Sequence, residues 1–331
     1  MVHTVLVPLD GSEFAEQALP YAMAIADGAH AVLQLVQVHA LYGVKDSACS
    51  WMPFDPDEDA AFKRQEQSYL NEIARRPCVP LGLVVRSAVV AGMAADGILA
   101  HARAKAADLI VMTTHGRGPL SRVFLGSVAS ELVRRAPIPI LLIRPRQGVL
   151  KPGRTPTLQR ILVPLDLSAQ AEQILGPATE LAHLTGGSLT LLHVLEPSHA
   201  PGSAGCSCAP QLAQGNPHEC RAKVYAYLND IAERLRKQSL QVHTRIVVGS
   251  HAASVILEEV QAQLCDLLAF ATHGRGGYNR LLLGSVAEEV LCGASIPVLI
   301  SRRDGRLIKP SNGMLTAAGS GLPPSQVSQK Q

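Results

Sequence analysis

The chain has 331 residues, 47% hydrophobic and 17% charged, enough apolar material for two buried cores and incompatible with a disordered chain. The net charge is only +3 and no Lys/Arg run exceeds a pair, so the positive footprint that duplex nucleic acid demands is missing. The amino terminus MVHTVLVPLD lacks a basic segment leading into an apolar one, and no stretch approaches eighteen uncharged apolar residues, which predicts a soluble, cytoplasmic protein with no membrane partner.

Short β-branched apolar runs alternate with longer helix-period segments, the pattern of βαβ units around a buried parallel sheet, so the fold class is α/β. In chain order the first half predicts strand Thr4 to Leu9, helix Ser12 to Ala26, strand Val32 to His39, helix Asp59 to Arg75, strand Leu83 to Val90, helix Ala94 to Ala106, strand Leu109 to Thr113, helix Ser127 to Arg135 and strand Ile138 to Ile143. The second half repeats the series: strand Ile161 to Leu165, helix Ala169 to Leu184, strand Ser188 to Val194, helix Glu219 to Gln238, strand Gln241 to Val248, helix Ala252 to Leu264, strand Leu267 to Ala271, helix Ser285 to Cys292 and strand Pro297 to Ile300. Pro20, and Gly176-Pro177 at the matching place, should kink or restart the first helix of each half. Two domains are expected, over 1–146 and 159–303, joined by a Pro/Gly-punctuated linker at 147–158 and followed by an unstructured tail at 304–331. Long loops at Ala40 to Asp57 and Leu195 to His218 both follow a second strand, at the carboxyl edge where open α/β sheets bind ligands.

The halves are copies. Thr114 to Ser127 reads THGRGPLSRVFLGS, and 158 positions later Thr272 to Ser285 reads THGRGGYNRLLLGS. VLVPLD at Val5 to Asp10 recurs as ILVPLD at Ile161 to Asp166, and Ala15-Glu16-Gln17 as Ala171-Glu172-Gln173, so one unit of about 145 residues is present twice. Glycines let a loop approach phosphate closely, and a helix start offers backbone N–H groups to an anion. Gly116 and Gly126-Ser127 do this in the first half, as do Gly274, Gly276, Gly277 and Gly284-Ser285 in the second, with Arg117, Arg122, Arg275 and Arg280 available as countercharges. The alternative is structural: Gly-Ser before a helix is an ordinary cap, and Ser285-x-x-Glu288 reads as a capping box. Asp10 and Asp166 end the first strands and could bond an adenine amino group or reach a metal through water; capping the following helix is their structural alternative. His39 and His193 are expected each to make one backbone bond, and nothing beside His115 or His273 looks like a nucleophile and its base.

These strings resemble the universal stress protein family in its tandem form, from Val2 to Arg302. The resemblance implies, in each half, a doubly wound five-stranded parallel sheet of order 3-2-1-4-5 flanked by helices, with ATP, with or without Mg2+, held between the first and fourth strands. The family's glycine pattern falls on Gly116, Gly126 and Ser127 and on Gly274, Gly284 and Ser285; its adenine-side aspartate falls on Asp10 and Asp166, and its base-contacting second-strand residue on Ala40 and Val194. Arg117 and Arg275 stand within the same loops. Thr113 and Ala271 replace the family's first glycine. If that position needs positive φ or close contact, the threonine is the more damaging, which favours the second half as the nucleotide site. The resemblance also implies pairing through the last strand, within the chain or between chains in a homodimer; Ile138 to Leu142 and Ile296 to Ile300 would otherwise be apolar edges, or are simply internal.

Cys206, Cys208, His218 and Cys220, with His199 nearby, could hold zinc, but their spacing is that of no standard finger or ribbon and no metal is assigned. A redox-sensitive thiol pair is the other reading of that loop. The remaining Cys78, Cys265 and Cys292 are expected to be buried, and all seven cysteines reduced. The functional expectation is an ATP-binding stress-response switch. Without a Walker-type lysine or a general base it has at most slow hydrolysis or autophosphorylation through Ser127 or Ser285. A nucleotide-free dimerising scaffold is the alternative.

Overall fold

The computed structural model describes residues 1–40, 55–115, 125–145, 156–196, 217–272 and 284–302. The long loops, the glycine-rich turns, most of the linker and the tail lie outside them. The first half runs β1 (Thr4–Leu9), α1 (Glu13–Glu16), α2 (Leu19–Gly28), β2 (Val32–His39), α3 (Pro56–Ala74), β3 (Val85–Ala91), α4 (Ala94–Ala104), β4 (Leu109–Thr113), α5 (Ser127–Arg135) and β5 (Ile140–Ile143). The second runs β6 (Arg160–Pro164), a 3-10 turn (Ala171–Ile174), α6 (Leu175–Thr185), β7 (Ser188–Leu195), α7 (Pro217–Arg236), β8 (Gln241–Val248), α8 (Ala252–Ala262), β9 (Leu267–Ala271), α9 (Ser285–Gly293) and β10 (Val298–Ser301).

Proline chemistry explains three of the departures from expectation. The helix expected over Ser12 to Ala26 is two pieces, because Pro20 sits in the first turn of α2, where its missing N–H costs nothing. In the second half the same break is a 3-10 turn before α6. β5 and β10 begin after Pro139 and Pro297, two residues and one residue later than expected, since a proline cannot donate to the ladder; each instead offers its carbonyl to the neighbour, to Ile110 N at 3.0 Å and Leu268 N at 3.1 Å.

Each half is a parallel sheet of order 3-2-1-4-5, and the strands align as β3-β2-β1-β4-β5-β10-β9-β6-β7-β8. β5 and β10 lie antiparallel, with Ile140, Leu141 and Leu142 opposite Ile300, Leu299 and Val298. Apolar clusters cover both sheet faces, one under α2, α3, α6 and α7, the other under α4, α5, α8 and α9. Leu158, in the expected linker, is buried in the first of them.

The sheet geometry opens the site. β1 pairs with β4 only through Val5 and Leu6, and β6 with β9 only through Ile161 and Leu162. Leu165 N donates to Leu192 O on the β7 side (2.8 Å), so its neighbour Pro164 turns its donorless nitrogen toward β9. Pro8 has the same place in β1. Past these prolines the first and fourth strands part, which leaves a crevice where the strand order reverses.

Candidate functional site

In the first half this crevice is a cavity of about 870 Å³ bounded by the ends of β1, β2 and β4, the start of α5 and one face of α3. Asp10, Ala40, Gly126 and Ser127 all line it. Asp10 Oδ1 accepts from Ser12 N (2.9 Å) and Ser12 Oγ (2.6 Å), and Ser12 Oγ in turn accepts from Ala15 N (3.1 Å) to cap α1. Asp166, Ser168 and Ala171 repeat this at 3.0, 2.5 and 3.1 Å. The capping residue is therefore the serine, and the aspartate holds the serine. Between them, Gly11 adopts φ 81°, which glycine tolerates; Leu167 at the matching place adopts φ 68°, which a branched side chain does not tolerate without strain.

The glycine pattern is described only at its ends. Gly116, Arg117, Arg122, His273, Gly274, Arg275, Gly276, Gly277 and Arg280 lie outside the described residues. Gly126 N donates to Thr114 O at 2.9 Å, and a Cβ on Gly126 would sit 2.8 Å from that same oxygen, so no side chain fits there. Gly284 N donates to Thr272 O at 3.2 Å, and its Cβ would find 3.6 Å, an ordinary contact. Thr113 and Ala271 close β4 and β9 without positive φ, so the backbone strain that favoured the second half is absent. Thr113 Oγ1 donates to His115 O (2.9 Å) and fastens the start of the loop.

The capping alternative for the serines falls. The N-caps are Gly126 and Gly284; Ser127 and Ser285 are the first helical residues, both exposed, and neither hydroxyl bonds a described residue. The first intrahelical bond of α5 runs from Ser130 N to Gly126 O (2.8 Å). The N–H groups of Ser127, Val128 and Ala129 therefore have no acceptor within the helix, and all three residues line the cavity.

Strand register corrects the second-strand residues. Pro8 pairs with Val36 and Pro164 with Leu192, so Val38 is the counterpart of Val194, Gln37 of His193 and His39 of Leu195. Ala40, exposed on the cavity rim, is two positions beyond the true counterpart of Val194, which belongs to β7. His193 Nδ1 donates to Leu165 O at 2.6 Å, a backbone bond of the kind expected of it. His39 instead lies between two carboxylates, Nε2 2.8 Å from Asp59 Oδ1 and Nδ1 2.8 Å from Glu66 Oε2. Lys63 Nζ reaches Asp59 Oδ2 at 2.7 Å, and these hydrogen bonds from Lys63 and His39 hold the Asp59 carboxyl below its usual range.

The α3 wall was not found from sequence: Phe62, Gln65, Glu66 and Tyr69 all face the cavity. A signal existed, since Asp59, Lys63 and Glu66 share one helix face at spacings of four and three. Tyr69 Oη donates to Glu16 Oε1 (3.1 Å), and Arg76 grips the same carboxylate through both nitrogens, at 2.5 and 3.3 Å. Tyr227, Glu172 and Arg234 repeat the arrangement. Burial, then the glutamate charge, raises both phenol pKa values, so the tyrosines stay protonated donors.

Cys206, Cys208 and His199 lie outside the described residues; His218 opens α7 exposed, and Cys220 is buried in the apolar cluster. Among the described residues no three His, Cys, Asp or Glu side chains are grouped to hold a metal ion. Cys78 is exposed, against expectation, in the turn after α3. Cys265 is buried, which pushes its thiol up to about 11. No described helix is long and apolar enough to cross a membrane.

The family model described as the universal stress protein family matches residues 1–144 and again 157–302. A universal stress protein of Mycobacterium tuberculosis is 32% identical over 206 residues, 60% of this chain and 62% of that protein, so the chain spans less than two thirds of that relative's length. One from Mycolicibacterium smegmatis is 28% identical over 306 residues, covering 90% of this chain and 96% of the relative. The crystal structure of a universal stress protein from Archaeoglobus fulgidus shares the fold, with a TM-score of 0.67 at 20% identity over 91% of this chain and 98% of that one. With the unit matched twice over most of its length, the chain belongs to the universal stress protein family in a tandem, two-domain form.

Proposed function

We propose that the first-half cavity binds ATP, with or without Mg2+, and that the protein is a soluble, cytoplasmic, nucleotide-dependent switch of the stress response with at most slow hydrolysis or autophosphorylation. The observation that carries this reading is the start of α5. Three N–H groups without helical acceptors, an exposed serine hydroxyl and the positive end of a helix line one cavity with the Asp10 carboxylate. The residues fit the nucleotide: Ser127 to Ala129 would hold phosphate oxygens, Gly126 lets the start of α5 lie against Thr114, and Asp10 and the β2 end stand on the base side. Gly116 and Arg117 would complete the phosphate cradle. The second half carries Asp166, Val194, Gly274, Arg275, Gly284 and Ser285 for the same roles.

The register of β5 against β10 supports pairing of the two domains within one chain in place of a homodimer. The domains on this reading occupy 1–146 and 159–303, joined by 147–158 and followed by the tail at 304–331, with buried Leu158 anchoring the end of the linker.

Calorimetry of the full chain tests the site. ATP should bind, and Ser127→Ala should weaken binding at the first-half site about tenfold or more, the usual cost of one hydrogen bond to a charged group. No heat at millimolar ATP would leave the nucleotide-free scaffold as the surviving account.

A further inference from the structure

We infer that Gln37 reads the base of the first-half ligand and selects a 6-amino purine, adenine, over a 6-oxo purine; this rests on the nucleotide reading above. Gln37 lies on β2, is only 5% exposed and lines the cavity. Its Oε1 is buried without a partner, and its amide makes no hydrogen bond to any described residue. Buried polar groups are nearly always paired, so an orphaned amide on a cavity wall marks a place where a ligand supplies the partner.

The surroundings decide which partner. The Asp10 and Glu66 carboxylates face the same cavity, and both are acceptors. His39, two residues along the strand, has both ring nitrogens engaged by Asp59 and Glu66, and the Tyr69 hydroxyl is spent on Glu16. This part of the wall is acceptor-rich, and the Gln37 amide is a buried donor left uncommitted among the described residues. A base edge with an amino group beside a ring nitrogen satisfies the amide bidentately and offers its second N–H to the acceptors. At the N7 edge a 6-oxo base presents two acceptors, so it can satisfy the amide N–H but not the amide oxygen, and it turns a carbonyl toward the carboxylates. The device is confined to the first half, because the counterpart of Gln37 is His193, whose Nδ1 is already bonded to Leu165 O.

The test titrates the full chain with ATP and with inosine triphosphate, which differs by that single amino-to-oxo exchange. The parent should bind ATP about tenfold more tightly at one of its sites, the scale of one good bidentate base contact. In Gln37→Met, which keeps the length and removes the polar atoms, the ratio at that site should fall to within about twofold through weaker ATP binding. Gln37→His, which installs the residue that the second half carries at this place, should do the same. Without nucleotide, Gln37→Met should melt no lower than the parent, because it removes a buried unpaired amide. An unchanged ratio in either folded variant, or a parent that binds both triphosphates equally, overturns the assignment of Gln37 while the nucleotide site stands. A parent that binds neither overturns the nucleotide reading itself.

Discussion

Gly126 and Gly284 occupy matching places in two nearly identical strings, yet their surroundings differ. A methyl group on Gly126 would be driven onto Thr114 O at 2.8 Å, a backbone atom that cannot swing aside; on Gly284 it would rest 3.6 Å from Thr272 O. Gly126→Ala should therefore cost about 1–3 kcal/mol, as overpacking does, and Gly284→Ala less than about 0.5 kcal/mol. Urea denaturation of the two variants beside the parent checks the difference, and equal losses would refute it. The same contrast holds at Gly11 and Leu167, where one half meets a left-handed backbone with glycine and the other with leucine. The sequence showed that these loops matter, through the repeated string and the aspartate before each turn. It did not show which glycine is sterically required, because the deciding atom belongs to another strand's end.

Among the elements, α3 and α7 are each tied to the glutamate after the first strand of their half by the same motif. The recurrence of Ala-Glu-Gln is plain in the sequence, and the structure gives its reason. Glu16 takes the hydroxyl of Tyr69, 53 residues away, and both arms of Arg76; Glu172 takes the hydroxyl of Tyr227 and one arm of Arg234. Because burial and the glutamate raise the phenol pKa values in the folded protein, the unfolded chain loses these protons first. Their contribution to stability is then complete below about pH 10, the unfolded tyrosine value, and is lost as pH rises beyond it toward the folded values. The urea midpoint should fall above about pH 10, and the fall should be shallower in the Tyr69→Phe, Tyr227→Phe double variant. An identical slope would show that the two phenols do not carry it. His39 makes the complementary point: as a strand-end histidine it read as a backbone donor, whereas α3 places a carboxylate at each ring nitrogen.

At the scale of the whole molecule the ten strands of the described residues form one run, with the halves meeting where β5 opposes β10. Arg144 reaches across this join: its Nη2 donates to the carbonyls of Leu291 and Cys292 at 3.2 and 2.6 Å and so caps α9 of the other half. Met1 of the first half likewise meets Glu180 of the second through its amino group at 2.7 Å. If the join persists in solution, the amides of Ile140, Leu142, Val298 and Ile300, which alternate to the side facing the other half, should exchange hydrogen as slowly as those of the central strands β1 and β6, and far more slowly than those of the outer strands β3 and β8. Fast exchange at β5 and β10 would mean that the halves separate.

What the sequence by itself determined is the set of properties written in local order: apolar runs that alternate with helical periods, the duplication, the aspartate at the end of each first strand and the glycine-serine step that opens each last helix. These are legible because neighbours a few residues apart make them. What only the tertiary structure decided is everything set by atoms distant in the chain. That includes the register that makes Gln37 the counterpart of His193, the oxygen that forbids a side chain at Gly126, the carboxylates around His39 and the antiparallel meeting of β5 with β10. The physical reason is that period and propensity constrain one element at a time, whereas register and side-chain partnership are settled by which surfaces pack together.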